Sequence, residues 1–215
     1  AVQNARPQIA ALECLDTLLN DWGVSTNPIA DTLRTAHENS LLYGEHTWGL
    51  DGKQPGPYRY GEEWKEARQA GVYKTLEQAS DDHRGYARHV EETVRPELDQ
   101  HMAALAGAVQ VEGKRIVVFN PLPWKRDALV VLPKTEQPIE ALKDPDTGRR
   151  LPVSHSKDHD VFLAPGLPSL GYKTFLCLEP NTSTEINPLK ADDTAISNSF
   201  FKLVLDPKRG GIVSL

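Results

Sequence analysis

Two cysteines and one methionine are all the sulfur in 215 residues, and aromatic residues make up only 7%. Cys14 and Cys177 lie far apart without CxxC spacing. They permit one disulfide but spell no disulfide framework, and the usage leans to a reducing, cytoplasmic compartment. No apolar run approaches the length of a membrane span, so no membrane partner is expected. The opening residues carry no signal-peptide pattern. A block of Lys and Arg is also missing. With a net charge of −6, this argues against a nucleic-acid surface.

What is present fits a globular protein: 39% apolar and 25% charged residues, with length for one large domain or two small ones. Residues 1 to 109 carry helical periodicity. Ile9, Leu12, Leu15, Leu18 and Leu19 recur at spacings of three and four. Gly23 and Ser25 interrupt, and Asn27-Pro28 reads as an N-cap followed by proline at the first helical position. Ile29, Leu33, His37 and Leu41 then form one helical face. Asp51 to Pro57 is a loop. A long helical segment follows, with Leu76, Ala79, His83, Tyr86, Val90, Val94, Leu98, Met102, Leu105 and Val109 in phase. Pro96 removes the bond to the Glu92 carbonyl, and the phase retained across it predicts a kink rather than an end. These helices suit a three-helix-type bundle.

The period changes after Gly113. Ile116 to Phe119, Leu129 to Leu132, Val161 to Leu163 and Thr174 to Leu178 are short β-branched or aromatic runs separated by turn residues. The expected fold is therefore α+β: a bundle over residues 1–109, a small antiparallel, sandwich-like β domain over 110–180, a polar linker over 181–195, and the first strands of a larger β-sandwich over 196–215. The chain opens without Met and closes on a returning strand, so both ends read as cuts in a longer polypeptide.

Chemistry concentrates in Tyr43-Gly44-Glu45-His46-Thr47-Trp48-Gly49. Imidazole is a common zinc ligand and proton carrier, yet no second ligand sits at helical spacing beside His46. Taken alone, His46 reads equally as a helix-end histidine bonded to backbone carbonyls and favoured by the helix dipole. Glu45 reads as a solvated carboxylate, Thr47 as a backbone-bonding hydroxyl and Trp48 as packing or a sugar-stacking indole. His37 and His83 sit on apolar stripes and read as core histidines. His155, Asp158, His159 and Asp160 read as a polar hairpin turn before a metal site. Trp64 and Trp124 read as packing anchors.

Three stretches carry a resemblance. The motif at 43–49 resembles the helix-end segment Q-H-H-D-A-I-T-G of family 38 glycoside hydrolases, the zinc-dependent α-mannosidases. His46 aligns with the zinc ligand, Glu45 with the preceding His and Thr47 with a substrate-contacting Asp. Val118-Phe119-Asn120-Pro121-Leu122-Pro123-Trp124-Lys125-Arg126 is similar to the N-P-x-x-W-x-R segment opening that family's first β domain, and Gly171-Tyr172-Lys173-Thr174 fits its last strand. Ile196 to Asp206, with Gly210 to Leu215, is similar to the start of the family's large β-sandwich. The stretches run in the family's order across nearly the whole chain. Glu45 and Thr47 depart from its pattern, which points to a divergent subgroup.

The resemblance implies retaining glycoside hydrolysis by a zinc enzyme, with an Asp nucleophile and a second carboxyl group as acid/base. In the family those groups and the remaining zinc ligands lie in an N-terminal α/β domain, which this sequence does not contain. By the resemblance, His46 is a zinc ligand, Glu45, Thr47 and Trp48 contact the carbohydrate, and no catalytic residue lies in this chain. Its partners are that α/β domain and the rest of the C-terminal β-sandwich. The 215 residues alone are expected to be inactive and to hold zinc weakly, since a catalytic zinc takes about three protein ligands. Two rival readings stand beside this one: a non-catalytic carbohydrate-binding or structural module, and a related metal-dependent, deacetylase-like hydrolase.

Overall fold

The computed structural model describes residues 2–45, 61–135, 139–178, 190–198 and 200–215. Among the described residues, four helices precede antiparallel sheets, an α+β arrangement without barrel closure. The chain forms two compact units. One comprises Ala1–Gln110, Phe119–Trp124 and Ser169–Gly171, and the other Val111–Val118, Lys125–Pro168 and Tyr172–Leu215.

In the first unit, α1 (Val2–Asp21), α2 (Ala30–Gly44) and α4 (Lys74–Ala108) share an apolar seam. Ala5, Ile9 and Leu12 of α1 meet Ile29 and Ala36 at α2, and Val90 and Val94 of α4, with Leu33 and Leu98 packed against them. Each helix supplies residues at spacings of three, four or seven, the rows that fall on one face. The short α3 (Glu62–Gln69) buries no residue. Its helix ends before Gly71, whose φ of +80° suits glycine. The expected long segment is thus two helices, and α4 runs unbroken through Pro96.

Two local expectations are corrected. Asn27 does not cap α2. Ile29 occupies the N-cap position without a side-chain bond, and the Asn27 amide donates instead to Gln100 Oε1 at 3.1 Å. The face of α2 is also rotated. Ile29, Leu33 and Ala36 point inward, whereas His37 is exposed and paired with Glu13 at 2.8 Å, and Leu41 is 75% exposed. A strict spacing of four advances about 40° beyond a full turn at each step, so the stripe drifts off the buried face within three steps.

In the second unit, β1 (Arg115–Asn120), β7 (Gly171–Leu178), β3 (Ala141–Lys143) and β4 (Arg150–Pro152) form one sheet in the order β1-β7-β3-β4. A second sheet has the order β2-β6-β5, from β2 (Arg126–Pro133), β6 (His159–Leu167) and β5 (Ser154–His155). Both sheets feed one core. Leu142, Leu151 and Phe175 meet Val153, Phe162, Ala164 and Leu167 there, with Phe162 edge-on to Phe175 at 5.3 Å. Antiparallel pairing sets Val130 opposite Phe162 and Leu142 opposite Leu151. A third sheet orders β11 (Gly211–Ser214), β10 (Lys202–Asp206), β9 (Ala195–Ser197) and β8 (Lys190–Ala191). The turn expected between β10 and β11 is present. Asp206 Oδ1 accepts from the Lys208 and Arg209 amides, and Gly210 takes a φ of +68°.

One ion pair organises the β3–β4 turn. Lys173 Nζ donates to Asp144 Oδ2 at 2.7 Å and to the Pro165 carbonyl at 3.4 Å, and lies 5.7 Å from the Phe175 ring centroid. Asp144 is 1% exposed. Burial alone would raise its pKa, but the bonds from Lys173, Thr147 and the Asp146 amide outweigh this and hold it below the ordinary carboxylate value. A depressed carboxylate contributes stability above its unfolded pKa of about 4, and loses it as pH falls through the lower folded value. Lys173→Met leaves Asp144 buried without its cation. We expect a destabilisation of about 3 kcal/mol at neutral pH, read from denaturant midpoints, and a flatter acid limb than in the parent chain.

Candidate functional site

The motif at 43–49 begins where α2 ends. A helix C-terminus leaves four carbonyls without intrahelical partners, and they attract cations and N–H donors. Two side chains from neighbouring helices donate to the last turns of α2. Arg6 of α1 donates through Nε to Ser40 Oγ at 2.9 Å and through its guanidinium to the Ser40 carbonyl at 3.0 Å. His83 of α4 places Nε2 2.6 Å from the Tyr43 carbonyl, with its ring stacked on the Tyr43 ring at 4.4 Å and 13°. A carbonyl only accepts, so Nε2 carries the proton. Gly44 permits the approach of Arg6, because a Cβ there would lie 3.1 Å from its guanidinium.

Glu45 follows at the C-cap. Its φ of −63° and ψ of 129° turn the chain out of the helix, while its amide bonds the Leu42 carbonyl at 3.3 Å. Its side chain is exposed. His46, Thr47 and Trp48 lie outside the described residues. Glu45 is therefore the one expected site residue whose surroundings are on view, and it is adjacent to a helix end held from two sides. Among the described residues no group of three His, Cys, Asp or Glu could hold a metal, so these residues do not by themselves make a zinc set. Nor is any described helix long and apolar enough to cross a membrane.

Other residues singled out in the sequence find different places. His83 is half-buried, but its role is the clasp on Tyr43 rather than core packing. The cluster from His155 to Asp160 is a hairpin between β5 and β6, closed by the Ser156 amide on the His159 carbonyl at 2.9 Å. Asp160 is buried and accepts from Lys134 Nζ and from His155 Nδ1. Lys134 first, and His155 second, hold its carboxyl below the ordinary value. Trp64 is half-buried with the Arg68 guanidinium 5.4 Å from its ring centroid, whereas Trp124 is 55% exposed and is not a packing anchor. Cys14 and Cys177 are both free thiols.

Two further residues matter more, one named in the sequence only as part of the Val118–Arg126 stretch and given no role, the other passed over. Asn120 is fully buried, donates to the Trp124 carbonyl at 2.9 Å and accepts from the Leu122 amide at 3.3 Å. It thereby fixes the Pro121–Trp124 turn. Asn before Pro was the available signal, since an Asn side chain can bond the backbone two residues on. His101 is 1% exposed and bridges α4 to Asp16 of α1. It was hidden between Leu98, Met102 and Leu105, although it lies seven residues from buried Val94 in the row that faces α1.

The clasp makes a measurable contribution. His83→Leu removes a hydrogen bond and an aromatic stack, and we expect a loss of about 1–2 kcal/mol in the denaturant midpoint of the helical signal. A smaller loss would mean that Arg6 alone holds the α2 end. No family model matches the chain, and neither a curated protein nor a solved structure matches it at a significant level.

Proposed function

We propose that this chain is the bundle and β portion of a zinc-dependent, α-mannosidase-like retaining glycoside hydrolase. In this reading His46 is one zinc ligand, and Glu45, Thr47 and Trp48 meet the carbohydrate. The nucleophile, the acid/base and the other zinc ligands come from an α/β domain of the same polypeptide. The observation that carries the reading is the clasped end of α2. Arg6 and His83, from two different helices, hold the backbone at Ser40 and Tyr43, six and three residues before His46 in the sequence. A ligand delivered from such an end starts from a fixed position, and a site needs its ligands positioned by the surrounding structure. The buried Asn120 supports it further, because it gives the Asn-Pro-x-x-Trp segment a definite folding role.

The test uses the polypeptide that carries these residues together with the α/β domain. It is expected to retain zinc through dialysis and to hydrolyse an aryl α-mannoside. His46→Ala should lower both zinc affinity and turnover by about a hundredfold or more, since even outer-shell partners of a metal contribute ten- to a hundredfold. A variant that keeps full zinc and full turnover would remove His46 from the site. A polypeptide that binds no zinc and cleaves no α-mannoside would remove the reading altogether.

A further inference from the structure

The end of α1 builds a cavity that the function proposed above does not use. Gly23 takes a φ of +73° and closes the helix with two reversing bonds, from its own amide to the Asn20 carbonyl at 3.0 Å and from the Val24 amide to the Leu19 carbonyl at 2.8 Å. The chain then brings Ser25, Thr26 and Asn27 beside Gln100, His101 and Ala104 of α4. These six residues line a cavity of about 210 Å³, and all of them belong to the helical unit. Asn27 meets Gln100 near the start of α2, whereas Tyr43 meets His83 at its far end.

The walls are fixed by bonds that point away from the space they enclose. Thr26 Oγ1 donates to Asp16 Oδ1 at 3.1 Å. His101 is 1% exposed, and its ring nitrogens are engaged by the Glu97 carbonyl oxygen at 2.8 Å and by Asp16 Oδ1 at 3.0 Å. The Asn27 amide donates to Gln100 Oε1 at 3.1 Å. Among the described residues, the other ends of these two amides and the Ser25 hydroxyl have no partner. Whichever way round the amide pair is assigned, it leaves one N–H donor and one carbonyl acceptor. The hydroxyl oxygens of Ser25 and Thr26 add acceptors, and the Ser25 proton adds a donor.

This lining selects by charge and polarity. It holds no lysine, arginine or carboxylate. An anion would find no cation in the wall and the Asp16 carboxyl behind Thr26. A cation would find Asp16 already bonded to Thr26, Asn20 and His101, and no group of three metal-binding side chains stands among the described residues. An apolar ligand would bury the free amide and hydroxyl groups without partners, which is costly. A neutral hydroxylated molecule suits the wall, because each of its O–H groups both donates and accepts. The volume is below the roughly 300–1,000 Å³ of drug-sized sites, so it takes one sugar ring rather than an oligosaccharide.

We propose that this cavity binds a neutral monosaccharide or a cyclic polyol of that size. The free ends of Asn27 and Gln100 and the Ser25 hydroxyl hold its hydroxyl groups, and the Ala104 methyl gives an apolar contact. The site needs neither zinc nor residues 43–49, so it stands or falls separately from the function proposed above.

The experiment is a titration of the 15N-labelled 215-residue chain with D-mannose, D-glucose and myo-inositol, and with D-glucuronate as the charged control, followed through amide resonances. A chelator is present throughout, which keeps the outcome independent of zinc. So few ligand atoms give a dissociation constant of about 1 mM, and additions therefore reach about 100 mM. At least one neutral probe is expected to give saturable shifts confined to the Asn27 and Gln100 side-chain amides and to the backbone at 24–27 and 100–104. Glucuronate should bind at least about tenfold more weakly. Ala104→Leu fills the cavity without removing a hydrogen bond, and Gln100→Leu removes one amide; each should weaken binding by about tenfold. The proposal is overturned if none of the three neutral probes gives saturable shifts, or if the shifts scatter over the surface. Equal binding of glucuronate, or unchanged affinity in Ala104→Leu, overturns it as well. If neither variant folds, the shift map and the glucuronate control in the parent chain decide.

Discussion

The helical unit depends on α4 staying one helix across Pro96. A proline in a helix interior removes a backbone bond and crowds the preceding turn, at about 3 kcal/mol or more. The helix persists because its buried residues lie on both sides of the proline: Ala87, Val90 and Val94 before it, His101 and Leu105 after it. Ending the helix at Pro96 would forfeit one of these two sets, and burying a single large aliphatic side chain is already worth about 1.5–3 kcal/mol. Packing therefore outweighs the local penalty, as tertiary context commonly does for propensity.

That continuity has a geometric consequence. His83 and His101 are eighteen residues apart, five helical turns and about 27 Å along one axis. One reaches the end of α2 through the Tyr43 carbonyl, and the other reaches α1 through Asp16. A single rigid element thus fixes both of its neighbours at separated points. The end of α2 that precedes His46 owes its position to a helix whose sequence places the second anchor well beyond the proline. After the helices, fixed position comes from another device. Buried polar groups, Asn120 in one turn and the Lys173–Asp144 pair at another, satisfy backbone and charge where apolar packing cannot reach.

Much of this was legible in the sequence, and the failures have physical causes. Periodicity located α1, α2, α4 and the longer strands, because those signals sum over many residues. It misplaced His37 and Leu41, since a spacing of four drifts where the true face alternates three and four. Gly71, which separates α3 from α4, is a lone glycine without the proline and turn residues that mark a break elsewhere. Two- and three-residue strands such as β3, β5 and β8 are too short to show alternation, and their pairing is set by partners distant in sequence. For the candidate site, the residues to watch could be named, but not the clasp that holds Glu45's helix. Arg6, Tyr43 and His83 come from three helices, and no local pattern links them.

Native-state hydrogen exchange across α4 tests the continuity on which this account rests. Amides before Pro96, around Val90 and Val94, and amides after it, from Leu98 to Leu105, should exchange through one shared opening with the same denaturant dependence. If the segment after Pro96 instead opens on its own, at lower free energy than the segment before it, then α4 is two elements joined at the proline. His83 and His101 would in that case not be anchors on one helix.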